Sequence, residues 1–282
     1  MAQIIDGKKS STQFIGEVKE QVAALKQKGI DVTLAVIQIG KDPASTVYVG
    51  NKKKACEYVG IRSLAYELPE ETSEQELLEL VRSLNAKEDV DGILVQLPLP
   101  KHIDEDKVIR TISPDKDVDG FHPESVGRLS IGQPGFVSCT PAGIIQLLKR
   151  SGITIDGKEC VIIGRSNIVG KPMGMLLLRE NGTVTICHSH TPDLKTVAKR
   201  ADILVVAIGK AKFVDASYVK DGAAVIDVGM DRDENGKLCG DVDFASVEPV
   251  AGAITPVPGG VGPMTIAMLM NNCVESAQRK HC

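Results

Sequence analysis

Cys160-Val-Ile-Ile-Gly-Arg-Ser-Asn-Ile-Val-Gly-Lys-Pro-Met-Gly174 is the stretch whose reading decides the architecture. Four apolar residues run into Gly164, and Gly170 and Gly174 follow at spacings of six and four. The regular dinucleotide fingerprint is GxGxxG, so the match rests on its strand–turn–helix context rather than on spacing. The physical requirement is met all the same. Glycine at the turn lets backbone approach a ligand closely, and a helix N-terminus favours a pyrophosphate. Glycines that serve only strand–helix packing are the competing reading.

The same alternation extends over nearly the whole chain. Short β-rich runs at Thr33–Ile39, Ser63–Leu68, Gly92–Gln96, Cys160–Ile163, Thr183–Cys187, Ile203–Ala207 and Ala224–Val228 are separated by helical patterns. An α/β fold with parallel strands follows. Ser73-Glu-Gln-Glu76 forms a capping box, and Leu77, Leu80, Val81 and Leu84 then recur at helical spacing. In the last helix Ile266, Leu269, Met270, Cys273, Val274 and Ala277 share one face, as core packing requires. With 282 residues, a prior of about 150 per domain predicts two domains. The irregular, glycine-rich segment from Pro114 to Cys139 is the expected crossing between them.

Composition narrows the function. A net charge of −4 argues against a general nucleic-acid binder. Seven cysteines without a CxxC pair fit a reducing, intracellular setting. The N-terminus lacks a signal-peptide apolar run, and no apolar stretch approaches membrane-spanning length. A cytoplasmic protein that binds neither nucleic acid nor membrane is expected.

NAD-specific enzymes commonly place an acid after the strand that here is Thr183–Cys187, where it binds the ribose 2′-hydroxyl. This chain has His188-Ser-His-Thr191 instead. No carboxylate repels a 2′-phosphate, and Arg165 with Ser189 can hold one, so NADP is favoured over NAD. His188 and His190 lack the Cys or carboxylate neighbours of a metal site, and no metal is expected.

In the first half, Pro43 suits the first turn of a helix that continues through Lys52-Lys-Lys54. Tyr48 and Lys52, four residues apart, share a face, while Lys53 and Lys54 turn away. Gly92-Ile-Leu-Val-Gln-Leu-Pro-Leu-Pro100 places one amide, Gln96, at a strand end, where open α/β sheets bind ligands. Asp115-Lys-Asp-Val-Asp-Gly-Phe-His-Pro123 contains an Asp-Gly turn centred on Asp119. Ile254-Thr-Pro-Val-Pro-Gly-Gly-Val-Gly-Pro-Met-Thr265 is a rigid loop leading into the last helix. Taken singly, each of these also has an ordinary structural reading: a solvated lysine run, a satisfied edge amide, a turn, a connector.

With Gly164–Pro172, these four make five motifs that, in chain order, resemble the bifunctional methylenetetrahydrofolate dehydrogenase/methenyltetrahydrofolate cyclohydrolase family, from Ile4 to Ala277. The resemblance implies two α/β domains, one of them a Rossmann-like NADP-binding domain, with a folate-binding cleft between them. Residues 1–139, completed by the helix at 265–282, would form the folate-binding catalytic domain, and 140–264 the NADP-binding one. It further implies a homodimer. Tyr48, Lys52, Gln96 and Asp119 would be catalytic and substrate-binding, joined by Pro258, Gly259, Gly260, Gly262 and Pro263 on the substrate. Thr140, Gly164, Arg165, Ser166, Ser189 and Gly209 would hold NADP. The rivals are another NADP-dependent oxidoreductase on the same plan, and a folate or nucleotide sensor without turnover.

Overall fold

The computed structural model describes residues 1–281. The chain opens with β1 (Gln3–Ile4) and α1 (Gly7–Gln27). Next come β2 (Thr33–Ile39), α2 (Pro43–Val59), β3 (Arg62–Leu68), α3 (Glu74–Ala86), β4 (Gly92–Val95), α4 (Glu105–Thr111) and α5 (Pro123–Ser130). The second half runs α6 (Cys139–Arg150), β5 (Glu159–Ile163), α7 (Gly170–Arg179), β6 (Thr183–Cys187), α8 (Leu194–Ala198), β7 (Ile203–Val206) and β8 (Ala224–Asp227). It ends with β9 (Asp231–Arg232), β10 (Leu238–Cys239), α9 (Phe244–Val247), β11 (Ala253–Ile254) and α10 (Val261–His281). The seven strands expected from the sequence are β2 to β8, each within one residue of its expected bounds.

Two compact units result. One comprises Gln13–Val137 and the chain from Ile266, and the other comprises Met1–Thr12 with Ser138–Thr265. The first holds a parallel three-stranded sheet ordered β3-β2-β4. Its central strand β2 is buried along its whole length, which explains its unbroken apolar run. Edge strand β3 is only partly buried. Ser73 and Glu76 form the reciprocal capping box that starts α3, and Leu77, Leu78, Val81 and Leu84 carry its buried face. Leu80, expected on that face, packs only partly buried at its margin. Along α10, Leu269, Met270, Cys273, Val274 and Ala277 are buried.

The second unit holds six parallel strands ordered β1-β11-β8-β7-β5-β6. Strand order reverses at β5, which has β6 on one side and β7 on the other, and the crevice beyond such a switch point is where open sheets bind ligands. Residues 1–12 belong here, although the sequence reading placed them in the first domain. The reason is β1, whose Gln3 and Ile4 pair with Ala253 and Ile254 of β11. Two residues of strand carry no alternation that a sequence pattern can reveal. Among the described residues no helix is long and apolar enough to cross a membrane.

Candidate active site

In the three-stranded unit the site begins with α2. The Asp42 side chain accepts the Ser45 amide, and Pro43 fills the first turn, so the helix starts at a fixed point. From that start, helical pitch turns Tyr48 and Lys52 inward. Tyr48 is half-buried, Lys52 is only 9% exposed, and Lys53 and Lys54 are exposed. The Lys52 Nζ donates to Gln96 Oε1 at 3.0 Å.

Gln96 stands one residue beyond β4, its amide N–H still bonded to Ile37 O at 2.8 Å. Its Nε2 donates to Leu97 O at 2.6 Å, and this fixes the side-chain amide with its oxygen toward Lys52. Burial raises the Tyr48 hydroxyl above its ordinary pKa.

The third element is the turn that carries Asp119. Asp117 accepts the amides of Phe121 and His122 at 3.2 and 2.8 Å and the Ser125 hydroxyl at 2.7 Å. Gly120, at φ +72°, completes the turn. From α10, Asn272 Nδ2 donates to Val118 O at 2.8 Å. On β4, Gly92 makes room for Val118, since a Cβ there would meet Val118 Cγ1 at 2.7 Å. Asp119 is thereby held half-buried near Lys52. Burial raises its pKa, and the Lys52 charge pulls it partly back. A buried lysine bonded to an oriented amide, and a desolvated carboxylate that feels the lysine's charge, make the composition that proton transfer and recognition of a polar heterocycle both need.

In the six-stranded unit, β5 ends at Gly164, with φ +130°. A Cβ on Gly164 would stand 2.2 Å from Ala207 O at the end of β7, and one on Gly170 would stand 2.2 Å from Gly164 O. Both glycines are thus demanded by backbone packed against backbone. Gly174, the third of the series, leaves space for Ile186. The loop leads into α7, whose N-terminal residue Val169 has no capping bond of its own. Instead the Ser166 Oγ accepts the Val169 and Gly170 amides at 3.1 and 3.4 Å.

Arg165 and Ser189 are exposed on the loops after the paired strands β5 and β6, where Gly164 N–H bonds Cys187 O at 2.9 Å. His188 Nδ1 accepts the His190 amide at 3.2 Å, which makes the histidine pair part of a local turn. Gly209 follows β7 at φ +63°. Thr140, in the first turn of α6, has its hydroxyl 3.1 Å from that of Thr265. A glycine cradle at the switch point, a helix N-terminus, and a basic residue with no opposing acid at the end of β6 fit a dinucleotide bearing a 2′-phosphate.

Pro258, Gly259, Gly260, Gly262 and Pro263 also belong to the six-stranded unit, apart from Tyr48, Lys52, Gln96 and Asp119. Their loop is clamped. Gly259 O accepts the Lys8 amide at 3.1 Å, and Gly7 is required because a Cβ there would fall 1.7 Å from Gly260 O. Sequence reasoning missed Asp117 and Asn272, the two groups that set the Asp119 turn. The available signals were an aspartate just before the Asp-Gly turn and one amide in the apolar stripe of α10.

Fold and site together define an α/β dehydrogenase with a Rossmann-like unit and a second α/β unit carrying a buried lysine bonded to a strand-end amide. Residues 5–119 match the catalytic domain, and 138–281 the NAD(P)-binding domain, of tetrahydrofolate dehydrogenase/cyclohydrolase. A bifunctional protein FolD from Lachnoclostridium phytofermentans is 73% identical over 279 residues, covering 99% of each chain. The crystal structure of the bifunctional methylenetetrahydrofolate dehydrogenase/cyclohydrolase FolD from Campylobacter jejuni matches with a TM-score of 0.96 at 50% identity, covering 99% of each chain. The Trypanosoma brucei enzyme, complexed with NADP cofactor and inhibitor, matches with a TM-score of 0.94 at 40% identity over 99% of this chain and 98% of that one. The chain belongs to the tetrahydrofolate dehydrogenase/cyclohydrolase family.

Proposed function

We propose that the protein oxidises 5,10-methylenetetrahydrofolate to the 5,10-methenyl compound with NADP, and then hydrolyses that cation to 10-formyltetrahydrofolate. The observation that carries this reading is the Lys52–Gln96 contact of 3.0 Å on a buried lysine. Family membership and the glycine cradle supply the redox half. When bound, NADP supplies the hydride acceptor. The substrate's two flanking nitrogens stabilise the cation left by hydride loss, so that step needs alignment more than a base.

Hydrolysis makes different demands. Water must lose a proton as it adds to the methenyl carbon, and a ring nitrogen must gain one as the carbon–nitrogen bond breaks. Lys52 is the proton-transfer group, with Gln96 fixing its direction. Asp119 accepts from the amide and amino edge of the pterin. Tyr48 provides a ring for stacking and a hydroxyl for the proton network.

On the cofactor side, Gly164 and Gly209 give backbone access, Ser166 and Thr140 offer hydroxyls, and Arg165 with Ser189 binds the 2′-phosphate. We also assign a homodimer, which light scattering on the purified protein tests. One assay tests the chemistry: purified protein, methylenetetrahydrofolate and NADP should yield NADPH and then loss of the methenyl absorbance. NADPH formation with a stable methenyl product would reduce the assignment to a dehydrogenase alone.

A further inference from the structure

Three aspartates gather in the six-stranded unit beside the Gly209 turn, and neither reaction step uses them. Asp241 is fully buried, and both of its oxygens are occupied: Oδ2 accepts the Ile208 amide at 2.8 Å and Oδ1 the Lys210 amide at 2.6 Å. These are the amides immediately before and after Gly209. Asp227, the last residue of β8, holds Asp241 in turn. Its Oδ1 accepts the Asp241 amide at 2.9 Å and the Gly229 amide at 3.0 Å, and its Oδ2 accepts the Val242 amide at 3.0 Å.

Two glycines make this approach possible. A Cβ on Gly240 would lie 1.9 Å from Asp227 Oδ2, and one on Gly229 would lie 2.3 Å from the Asp241 nitrogen. The third carboxyl, Asp231 at the base of the β9–β10 hairpin, has a buried Oδ2 that meets no donor. Burial first and the Asp241 charge second raise the Asp231 pKa, and burial pushes Asp227 up to about 7.

We propose that Asp241 is a positioning residue for the dinucleotide: seated by Asp227, it sets the Gly209 turn by holding the amides on either side of it. The inference rests on the assignment of that turn to NADP. Gly209 stands at φ +63° with nothing within 4 Å of where a Cβ would be, so no packing on that side of the turn holds it. The Asp241 carboxylate does. A hydrogen bond to a charged acceptor is among the stronger ones available to a loop. Asn cannot substitute, because both oxygens face N–H groups and its NH2 would oppose one of them.

The test measures NADPH formation by the whole enzyme, varying NADP at saturating methylenetetrahydrofolate and then the reverse. Asp241→Asn should raise the KM for NADP about tenfold and leave the KM for the folate within about twofold. Asp227→Asn, whose NH2 would face one of the amides that seat Asp241, should raise the NADP KM in the same direction by about threefold. A folded Asp241→Asn protein with an unchanged NADP KM, or with both KM values rising together, overturns the proposal. If Asp241→Asn does not fold, Asp227→Asn decides, and an unchanged NADP KM in that variant overturns the proposal. An unmodified enzyme that forms no NADPH at all fails the functional reading itself, and this inference with it.

Discussion

At the end of β4 the groups we propose to act on the substrate are side chains: Lys52 from a helix, Gln96 from a strand end and Asp119 from a turn. At the end of β5 the cradle we propose for the cofactor is backbone, shaped by the absence of side chains at Gly164 and Gly170. The contrast follows from what each place has to do. Moving a proton needs a titratable group in a chosen environment, whereas holding a pyrophosphate needs amides and room. The first site should therefore fail when a functional group is removed, and the second when an atom is added.

The largest effect tests the side-chain site. Lys52→Met should cut cyclohydrolase turnover by at least ~10²–10⁴-fold, the range for loss of a general acid–base group, while some dehydrogenase turnover persists and methenyltetrahydrofolate accumulates. Lys54→Met, on the exposed face of the same helix, removes the same charge and should leave both rates near normal. Hydrolysis at the unmodified rate by a folded Lys52→Met protein that still binds NADP would end the assignment.

Addition of one atom tests the cradle. Gly164→Ala places a Cβ against the Ala207 carbonyl oxygen at φ +130°, and overpacking of this kind costs ~1–3 kcal/mol. NADP affinity, read by titration calorimetry, should fall along with the melting temperature. Gly209→Ala meets no atom within 4 Å and should cost only about 1 kcal/mol from its left-handed φ. Equal behaviour of the two variants would erase the distinction between a packed and an open glycine.

A smaller effect concerns cofactor choice. Arg165→Ala should raise the NADP KM by about tenfold, as expected for a lost charge-assisted contact, and leave the NAD KM unchanged. Parallel changes with the two cofactors would place Arg165 away from the 2′-phosphate.

The smallest is a pH dependence at the Asp119 turn. Burial pushes Asp117 from an ordinary value of 3.8 up to about 6. Between those values the folded protein binds more protons than the unfolded chain, so the contribution of Asp117 to stability is fully present below about pH 4 and is lost as pH rises through about 6. The melting temperature of the protein minus that of Asp117→Asn should shrink by a few degrees across that window and then level off. A difference that stays constant from pH 4 to 7 would show that Asp117 titrates normally.

Much of this was legible in the sequence because it is written in short-range patterns. Tyr48 and Lys52 share a face by helical pitch alone. The strands β2 to β8 follow from apolar runs, and the capping box of α3 from four residues. The two-residue strand β1, and its pairing with β11, could not be read, because that pairing joins Gln3 to Ala253 across almost the whole chain. Asp117, Asp227 and Asp241 were passed over for a related reason. An aspartate in a loop reads as a solvated turn residue until burial and its N–H donors are known.

What the sequence by itself determined is the alternation of strand and helix, the position of each glycine turn, and the face of α2 on which the lysine lies, all set by local sterics and periodicity. The tertiary structure alone decided that Lys52 is desolvated and bonded to Gln96, that the first twelve residues complete the six-stranded sheet, and that Asp241 holds the Gly209 turn. Each of these depends on atoms far apart in sequence being brought within a few ångströms, where desolvation and hydrogen bonding act and periodicity says nothing.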